Sequence, residues 1–402
     1  MPWKEESLMS LRTEFVRLAS LPDANISQLA SRFGISRKTA YKWLTRFSKD
    51  EHLTDRSRRP LSSPTRTSDE LEALVLKARD ENPTWGGRKL RVYLQDAKHP
   101  LIPSASTITT ILRRHNRLDG PRAGEPRAWQ RFERPNPNDL WQMDFKGHVG
   151  MTNGQRCHPL TVLDDHSRFA MAVIACADES HETVRSALTG VFRRYGLPAR
   201  MLMDNGSPWG GESQDNPYTI FTVWLLQLGI AVSHGRPYHP QTQGKDERFH
   251  RTFKEELLSR CTLSDLEDSQ RRFDPWRDIY NYQRPHESLD MKTPATRYRP
   301  SPRSMPETLP SIEYHSTDCV RKVQQGGWFD YRGQTYRISR AFFGQRIALR
   351  ATERDGELGI WFCTHQVGIL DIKNGIVKMV RPNTSRSEQP TNEPSTEPGT
   401  SA

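Results

Sequence analysis

Cysteines are few, and their spacing excludes two classes of small protein. Five occur in 402 residues, with no C-x-x-C pair and no histidine pair close by: Cys157, Cys176, Cys261, Cys319 and Cys363. Zinc fingers require closely spaced ligand pairs, and disulfide-stabilised secreted domains require a denser cysteine framework. The sequence therefore indicates a protein of a reducing compartment that needs no structural zinc.

Long apolar runs are also missing. No stretch approaches the roughly 18 consecutive apolar residues that a membrane-spanning helix needs. The first residues, MPWKEESLMSLRTEF, contain no apolar core like that of a secretion signal. We therefore expect a soluble cytoplasmic protein with no membrane partner.

Positive charge is abundant but unevenly distributed. The net charge is +11, and residues 1–136 contain 26 Lys and Arg against 16 Asp and Glu, whereas the remainder contains 33 against 32. A basic N-terminal third is typical of a module that binds a polyanion, with nucleic acid favoured over a membrane surface. An ordinary solvated surface is the alternative. The length exceeds one domain of roughly 100 to 200 residues, so two to four domains are expected.

Residues 25–47, NISQLASRFGISRKTAYKWLTRF, predict a helix-turn-helix within a domain spanning 8–54. Apolar residues at helical spacing flank a turn at Gly34, and Ser36 is placed to cap the second helix. In such motifs the start of the second helix enters the major groove of DNA. A helical hairpin with a basic face is the alternative. The candidate DNA contacts are Ser36, Arg37, Lys38, Thr39, Tyr41 and Lys42.

Two proline-rich basic segments are predicted to be linkers. Residues 55–66, DRSRRPLSSPTR, are placed to follow a phosphate backbone through Arg56, Arg58 and Arg59. Residues 121–137, PRAGEPRAWQRFERPNP, have no persistent period and connect two domains.

A second helical module is predicted between these linkers, over 67–120. Ser104 or Ser106 is placed to cap its last helix. Arginines cluster at the end of that helix: Arg113, Arg114 and Arg117. A second DNA reader and a purely structural three-helix domain are nearly equal alternatives.

From about Leu140 the pattern changes to alternating strands and helices. Three strands come first, and helices then alternate with strands, which predicts an α/β domain with a mixed sheet flanked by helices. The expected strands are 140–146, 159–164, 168–176, 199–204 and 230–234, and the expected helices are 181–195, 219–228 and 244–259.

Three acidic residues of this region are candidates for a metal site. Asp144 and Asp204 each end a predicted strand, and ligands in open sheets bind at such carboxyl ends. The helix that follows carries Glu247, with His250, Arg251 and Lys254 expected on the same face. Three crowded carboxylates repel one another unless cations intervene, and Mg²⁺ prefers such oxygen ligands. Two such ions would support displacement at phosphorus without a protein nucleophile.

Other residues near these acids have competing interpretations. Asp164 and Asp165 in LDDHSR fit a hairpin turn better than a metal site. Asp246 is the nearest rival to Glu247, but a helical step of about 100° turns it to another face. Cations on the Glu247 helix suit a DNA phosphate backbone: Arg248, Arg251 and Lys254.

The regular alternation of predicted strands and helices ends near Pro300. Short β-type runs broken by glycine turns predict a small β-barrel over 310–380. Its aromatic residues are expected in the core rather than in a stacking surface: Trp328, Tyr331, Tyr336 and Trp361. Residues 381–402, rich in Ser, Thr, Pro and Glu, are expected to be disordered.

Several motifs together resemble the DDE transposases of bacterial insertion sequences, which have an integrase core and are relatives of retroviral integrases. The likeness covers roughly residues 10–300 and includes GISRKTAYKWLTRF, DRSRRP and PTWGGRKLRVYL in the N-terminal third. The core motifs are WQMDFKG, DDHSR, MDNGSPW, HGRPYHPQTQGKDERFHRTFKEEL and YNYQRPHESLDMKTPATRY.

This resemblance implies an RNase H-like core over 138–300 in which Asp144, Asp204 and Glu247 bind two Mg²⁺ or Mn²⁺ ions. It also implies cleavage at the 3′ ends of a mobile element and strand transfer into target DNA by a homo-oligomer in the bacterial nucleoid. No small-molecule substrate is expected, and the zinc module of retroviral relatives is absent.

One departure from the family pattern concerns the third acid. Residues 205–246 separate Asp204 from Glu247, a longer interval than is usual, and the polar loop GGESQDNPYT accounts for the extra length. Two other functions remain open: a catalytically inert DNA-binding regulator, and a metal-dependent endonuclease that does not join strands.

Overall fold

A computed structural model describes residues 8–49, 51–55, 66–118, 133–211, 216–235 and 244–381. The chain divides into two compact units, Met1–Thr67 and Ser68–Ala402. The predictions for Arg56, Arg58 and Arg59, for most of the 121–137 linker and for nearly all of the C-terminal tail lie outside the described residues.

The described residues of the first unit form the helices α1 (Leu8–Ala19), α2 (Ile26–Arg32) and α3 (Arg37–Ser48). Gly34 adopts φ +65° in the turn between α2 and α3, a conformation that favours glycine. Ser36 caps α3, because its hydroxyl accepts the Thr39 backbone N–H at 3.1 Å. The helix-turn-helix prediction is therefore confirmed in its helices, turn and cap.

The second helical module comprises α4 (Asp69–Glu81), α5 (Gly87–Asp96) and α6 (Ala105–Arg114). Ser104 caps α6 by accepting the Thr107 backbone N–H at 3.2 Å, which decides between the two serines proposed from the sequence. A Cβ atom at Gly87 would lie 2.4 Å from the Ala105 carbonyl oxygen. Glycine at that position therefore permits the close contact between α5 and α6.

The central domain is built on a mixed six-stranded sheet. Its strands are β1 (Trp141–Phe145), β2 (Val149–Gly150), β3 (Arg156–Asp164), β4 (Ala170–Cys176), β5 (Arg200–Met203) and β6 (Ala231–His234). The order is β2-β3-β1-β5-β6, with β4 paired to β3. β3 is antiparallel to β1 and β4, whereas β1, β5 and β6 are parallel. The predicted mixed sheet is confirmed.

Helices cover both faces of this sheet: α7 (His181–Tyr195), α8 (Ile220–Gln227), α9 (Gly244–Phe253) and α10 (Leu266–Tyr282). Residues Lys254–Leu258 continue α9 as a π-helical turn, a rare form that occurs frequently at functional sites. One face buries Trp141 and Val162 with Leu188 of α7, and the other buries Phe249 of α9 with Trp276 of α10. Burial on both sides fixes the positions of the strand ends.

The C-terminal region forms an antiparallel sheet and a hairpin, and the predicted barrel is not shown among the described strands. Its strands are β7 (Cys319–Lys322), β8 (Trp328–Tyr331), β9 (Gln334–Arg337), β10 (Arg346–Ala351), β11 (Glu357–Phe362), β12 (His365–Asp371) and β13 (Ile376–Met379). The order is β13-β12-β11-β10-β7, and β8 pairs with β9 as a separate hairpin. Closure between β7 and β13 is not found among the described strands.

The C-terminal sheet packs against the central domain. Phe342 and Phe362 share one continuous apolar cluster with Trp141 of the central domain. The rings of Tyr218 and Phe342 lie 5.3 Å apart. Tyr336 is buried as predicted, but the expectation for Trp328 is wrong because its side chain is 42% exposed.

None of the described helices is both long enough and apolar enough to cross a membrane.

Candidate active site

Asp144 and Asp204 lie side by side at the carboxyl ends of two parallel strands. β1 pairs with β5 through Trp141 opposite Met201 and Gln142 opposite Leu202. The same offset, carried two residues further, places Asp144 level with Asp204. Since adjacent strands are about 4.8 Å apart, both carboxylates occupy one edge of the sheet, as the sequence pattern predicted.

The two carboxylates interact electrostatically. Burial, and secondly the nearby charge of Asp204, raise the pKa of Asp144 to about 7. The backbone N–H of Phe145 and the ammonium of Lys146 oppose this shift. Two adjacent carboxylates repel each other when both are ionised. A divalent cation bound between them would relieve this electrostatic repulsion.

Asp204 is oriented by the loop that follows it. Its Oδ1 accepts the Gly206 backbone N–H at 3.0 Å and a hydrogen bond from the indole N–H of Trp209. The Trp209 ring stacks on Phe145, with ring centroids 5.5 Å apart and planes 8° from parallel. Reasoning from the sequence missed the role of Trp209, although the residue lies within the quoted MDNGSPW motif.

The helix α9 has one buried and one exposed side. Its buried side chains are Asp246, Phe249, His250 and Phe253. Its exposed side chains include Glu247, Arg248, Arg251 and Lys254. Glu247 therefore shares the exposed side with the three cations proposed to contact DNA, whereas the expectation that His250 lies on that side is wrong.

His250 instead docks α9 onto the sheet. Its Nε2 lies 2.8 Å from Thr161 Oγ1, and its Nδ1 lies 3.9 Å from Asp144 Oδ2. The Thr161 hydroxyl also donates to the Asp144 carbonyl at 2.9 Å. The helix that carries Glu247 is thus held next to β1 at the level of Asp144.

The structure brings two of the three predicted acids together. Within the described ranges, no group of three His, Cys, Asp or Glu side chains is arranged to hold a metal ion. Glu247 as the third ligand therefore stays a prediction. Its neighbour Asp246 is 2% exposed, and burial together with Asp144 and Asp165 raises its pKa well above the usual value.

Asp164 and Asp165 stabilise the turn between β3 and β4, as the sequence favoured. Asp164 accepts hydrogen bonds from the Asn138 backbone N–H at 2.8 Å and from the Ser167 hydroxyl at 2.6 Å. Asp165 accepts the Gln142 side-chain amide at 2.7 Å and pairs with Lys245 of α9. Both acids are fully buried.

The candidate DNA contacts on α3 are mostly exposed. Arg37, Lys38, Tyr41 and Lys42 face solvent, and Thr39 is half-buried. The Ser36 hydroxyl is engaged as the helix cap. Contact of these side chains with DNA stays a prediction.

The arginines at the end of α6 are partly neutralised. Arg114 forms an ion pair with buried Glu72, and Arg117 lies 3.1 Å from Asp80. These pairs lower the positive potential that the sequence alone indicated for this helix end, and they leave both interpretations of the second module open.

Comparison with protein families identifies domains along most of the chain. Residues 134–240 and 228–294 match two families described as integrase core domains, and residues 318–378 match the IS481 family transposase C-terminal domain. Residues 11–60 match a helix-turn-helix domain, and residues 39–112 match a homeodomain-like domain. The predicted resemblance to integrase-core transposases is confirmed.

Two curated relatives come from bacterial insertion elements. The IS407 uncharacterized 31.7 kDa protein of Burkholderia multivorans is 27% identical over 159 residues, which cover 40% of this chain and 54% of the relative. The IS476 uncharacterized 39.2 kDa protein of Xanthomonas euvesicatoria is 29% identical over 159 residues, 40% of this chain and 44% of the relative. The chain thus spans about half the length of these relatives.

Two solved structures similar to this chain are retroviral. A simian T-cell lymphotropic virus intasome in complex with PP2A regulatory subunit B56 gamma superposes with TM-score 0.37 at 16% identity, covering 71% of this chain and 91% of that chain. The HTLV-2 integrase catalytic core domain in complex with magnesium gives TM-score 0.31 at 18% identity, covering 41% and 99%.

Proposed function

We propose that this chain, which matches integrase core domains over residues 134–240 and 228–294, is a DNA transposase. It would bind the inverted-repeat ends of its element, cleave at the 3′ ends and transfer those ends into target DNA in the bacterial cytoplasm. The observation that carries this proposal is the pairing of Asp144 with Asp204 at the edge of β1 and β5.

The donor set fits divalent metal. Two adjacent carboxylates, one of them with a pKa raised to about 7 by burial and by its partner, suit a hard cation that prefers oxygen ligands. Asp144, Asp204 and Glu247 would hold two Mg²⁺ or Mn²⁺ ions. When bound, such ions supply an activated water or 3′-hydroxyl and stabilise the leaving oxygen.

The chain's own residues would prepare and orient the reactants. Trp209 and Gly206 hold the Asp204 carboxylate in one orientation through their N–H groups. The exposed cations on α9 would bind the DNA backbone beside the acids: Arg248, Arg251 and Lys254. Phosphate contacts of this kind set the position of the DNA without reading its sequence.

Sequence recognition would lie in the N-terminal helices. The exposed start of α3, with Arg37 and Lys38, would enter the major groove of the element end. Since two ends must meet before joining, we propose a homo-oligomer assembled on double-stranded DNA. We propose the division into domains at 8–54, 67–120, 138–300 and 310–380 as the arrangement that serves these steps.

The decisive experiment is a joining assay with purified protein, Mg²⁺ or Mn²⁺, a labelled element end and plasmid DNA. Wild-type protein is expected to join the end, and Asp204→Asn is expected to abolish joining while end binding remains. Glu267→Gln, an exposed acid in the first turn of α10, serves as the control and should leave joining unchanged.

The other outcomes of this assay separate the rival functions. End binding without any chemistry would identify a DNA-binding regulator. Cleavage without joining would identify an endonuclease. Joining that survives Asp204→Asn would sink the assignment of the acids.

A further inference from the structure

The side chain of Asp165 lies at the meeting point of three chain segments. The residue is fully buried. Its Oδ1 accepts the Gln142 side-chain amide at 2.7 Å, and its Oδ2 accepts the Arg134 backbone N–H at 2.8 Å. The Asp165 backbone N–H donates to the Leu140 carbonyl at 2.9 Å. The carboxylate is therefore fixed against β1 and the segment that precedes it.

Lys245 brings α9 to the same carboxylate. It is the second residue of α9, and its ammonium forms an ion pair with Asp165 Oδ1. The ammonium also donates to the Asp165 carbonyl at 3.2 Å. Only 17% of the Lys245 side chain is exposed, so solvent weakens this pair much less than it weakens a surface pair.

The partners of Asp165 stand next to the candidate catalytic acids. Gln142 precedes Asp144 by two residues in β1, and side chains two apart in a strand share a face. Lys245 precedes Glu247 by two residues in the first turn of α9. One carboxylate thus connects the strand that carries the first acid with the helix turn that carries the third.

Asp164 provides a natural comparison. It is adjacent, equally buried and fully hydrogen-bonded, but its partners are Asn138 and Ser167, at the start of the domain and in the β3–β4 turn. Loss of either acid would weaken the fold, but Asp165 also contacts α9 through Lys245. Comparing variants of Asp164 and Asp165 therefore distinguishes a purely structural role from a positioning role.

We propose that Asp165 is a positioning residue that holds the first turn of α9 at the catalytic edge through Lys245, so that Glu247 reaches the metal ions bound by Asp144 and Asp204. This inference rests on the proposed function. It assigns no chemical step to Asp165, whose carboxylate is enclosed by protein partners.

Metal affinity measured without catalysis tests this role. The full chain is titrated with Mn²⁺, and the rise in melting temperature gives the half-saturating concentration. Asp165→Asn and Lys245→Met are each expected to raise that concentration about 10-fold or more, the usual effect of removing an outer partner of a metal ligand. Lys245→Arg keeps the charge and should recover most of the loss.

Three comparisons make the result specific. Asp164→Asn should lower the melting temperature in the absence of metal but leave the half-saturating Mn²⁺ concentration within about twofold of wild type. The double variant Asp165→Asn/Lys245→Met should be no worse than either single variant, because both remove one contact. In the joining assay, the single variants should lower kcat while the KM for the DNA end stays close to wild type.

Two results would contradict the proposed role of Asp165 or the metal site on which it depends. If Asp165→Asn and Lys245→Met lower the melting temperature as Asp164→Asn does, yet bind Mn²⁺ like wild type, Asp165 is only structural and the inference fails. If wild-type protein itself shows no Mn²⁺-dependent stabilisation, the proposed metal site fails first.

Discussion

Glu256 Oε1 lies 2.9 Å from Arg284 Nε, and both side chains are about nine-tenths buried. The same carboxylate oxygen accepts the Thr84 hydroxyl at 2.9 Å, and Oε2 accepts the Trp276 indole N–H at 3.3 Å. Glu256 lies in the π-helical turn after α9, whereas Thr84 lies between α4 and α5. This network attaches the second helical module to the central domain.

Breaking this ion pair should destabilise the second unit. We expect Arg284→Met to lower the free energy of unfolding by about 3–5 kcal/mol, because it leaves a buried carboxylate without its cation. The double variant Arg284→Met/Glu256→Gln should be less harmful than the sum of the single effects. Urea denaturation measures both, with Glu267→Gln as an exposed control. A loss below about 1 kcal/mol for Arg284→Met, the range of surface pairs, would contradict the buried assignment.

The two acids at the start of α9 should differ in function. Glu247→Gln is expected to reduce joining more than the about 10- to 100-fold that substitution of an outer residue costs, with end binding intact. Asp246→Asn is expected to cost less, because Asp246 is only 2% exposed and turned toward the protein interior. Joining rates for the two variants decide the matter, and the reverse ranking would make Asp246 the third ligand.

Loss of the indole N–H at Trp209 should impair catalysis without loss of the fold. Trp209→Phe keeps a ring to stack on Phe145 but removes the donor to Asp204, so joining should fall about 10- to 100-fold. End binding should not change. Trp224→Phe is the matched control, since Trp224 is a buried indole of α8 that packs in the same apolar cluster. Equal losses in both variants would indicate a general packing effect.

Stability should decline as the pH falls below about 6.5, partly because of His286. This side chain is 7% exposed. Burial, and secondly the positive charges of Arg284 and Lys89, lower its pKa well below the usual value of 6.5. Below pH 6.5 this histidine is therefore protonated in the unfolded chain but stays neutral in the folded chain. Acid consequently favours unfolding. The contribution approaches about 1.4 kcal/mol for each pH unit below 6.5 while the folded imidazole stays neutral.

His286→Phe should flatten this dependence. The comparison is the free energy of unfolding at pH 7.5 and pH 5, and the variant should lose less stability between these two pH values than wild type. His52→Gln, which changes an exposed histidine of the first unit, should behave like wild type. An unchanged difference in His286→Phe would mean that other groups cause the acid sensitivity.

The start of α3 should contribute phosphate and base contacts to end binding. Arg37→Gln and Lys38→Gln are each expected to weaken binding, and loss of a phosphate contact should reduce the slope of log affinity against log salt by about 1. Fluorescence anisotropy over a range of salt concentrations measures both quantities. Lys77→Gln, an exposed lysine of α4, is the control. Affinity that is independent of Arg37 and Lys38 would place recognition elsewhere.

Local patterns predicted much of the fold. Ser36 caps α3 because a hydroxyl next to the first helical turn can accept a backbone N–H only three residues away. The strands ending at Asp144 and Asp204 are visible because apolar runs give way to turn residues there. The helix α10 was not predicted, and Pro275 within it weakens any local signal. Packing of Phe273 and Trp276 stabilises it nonetheless.

The sequence by itself determined the elements and the acids at their ends, since periodicity, capping and turn chemistry act over a few residues. Only the tertiary structure decided that β1 lies beside β5, which brings Asp144 next to Asp204. It also decided that His250 faces inward and that Asp165 pairs with Lys245, 80 residues later in the chain. Contacts between distant segments depend on which buried faces pack together, and local spacing does not encode that choice.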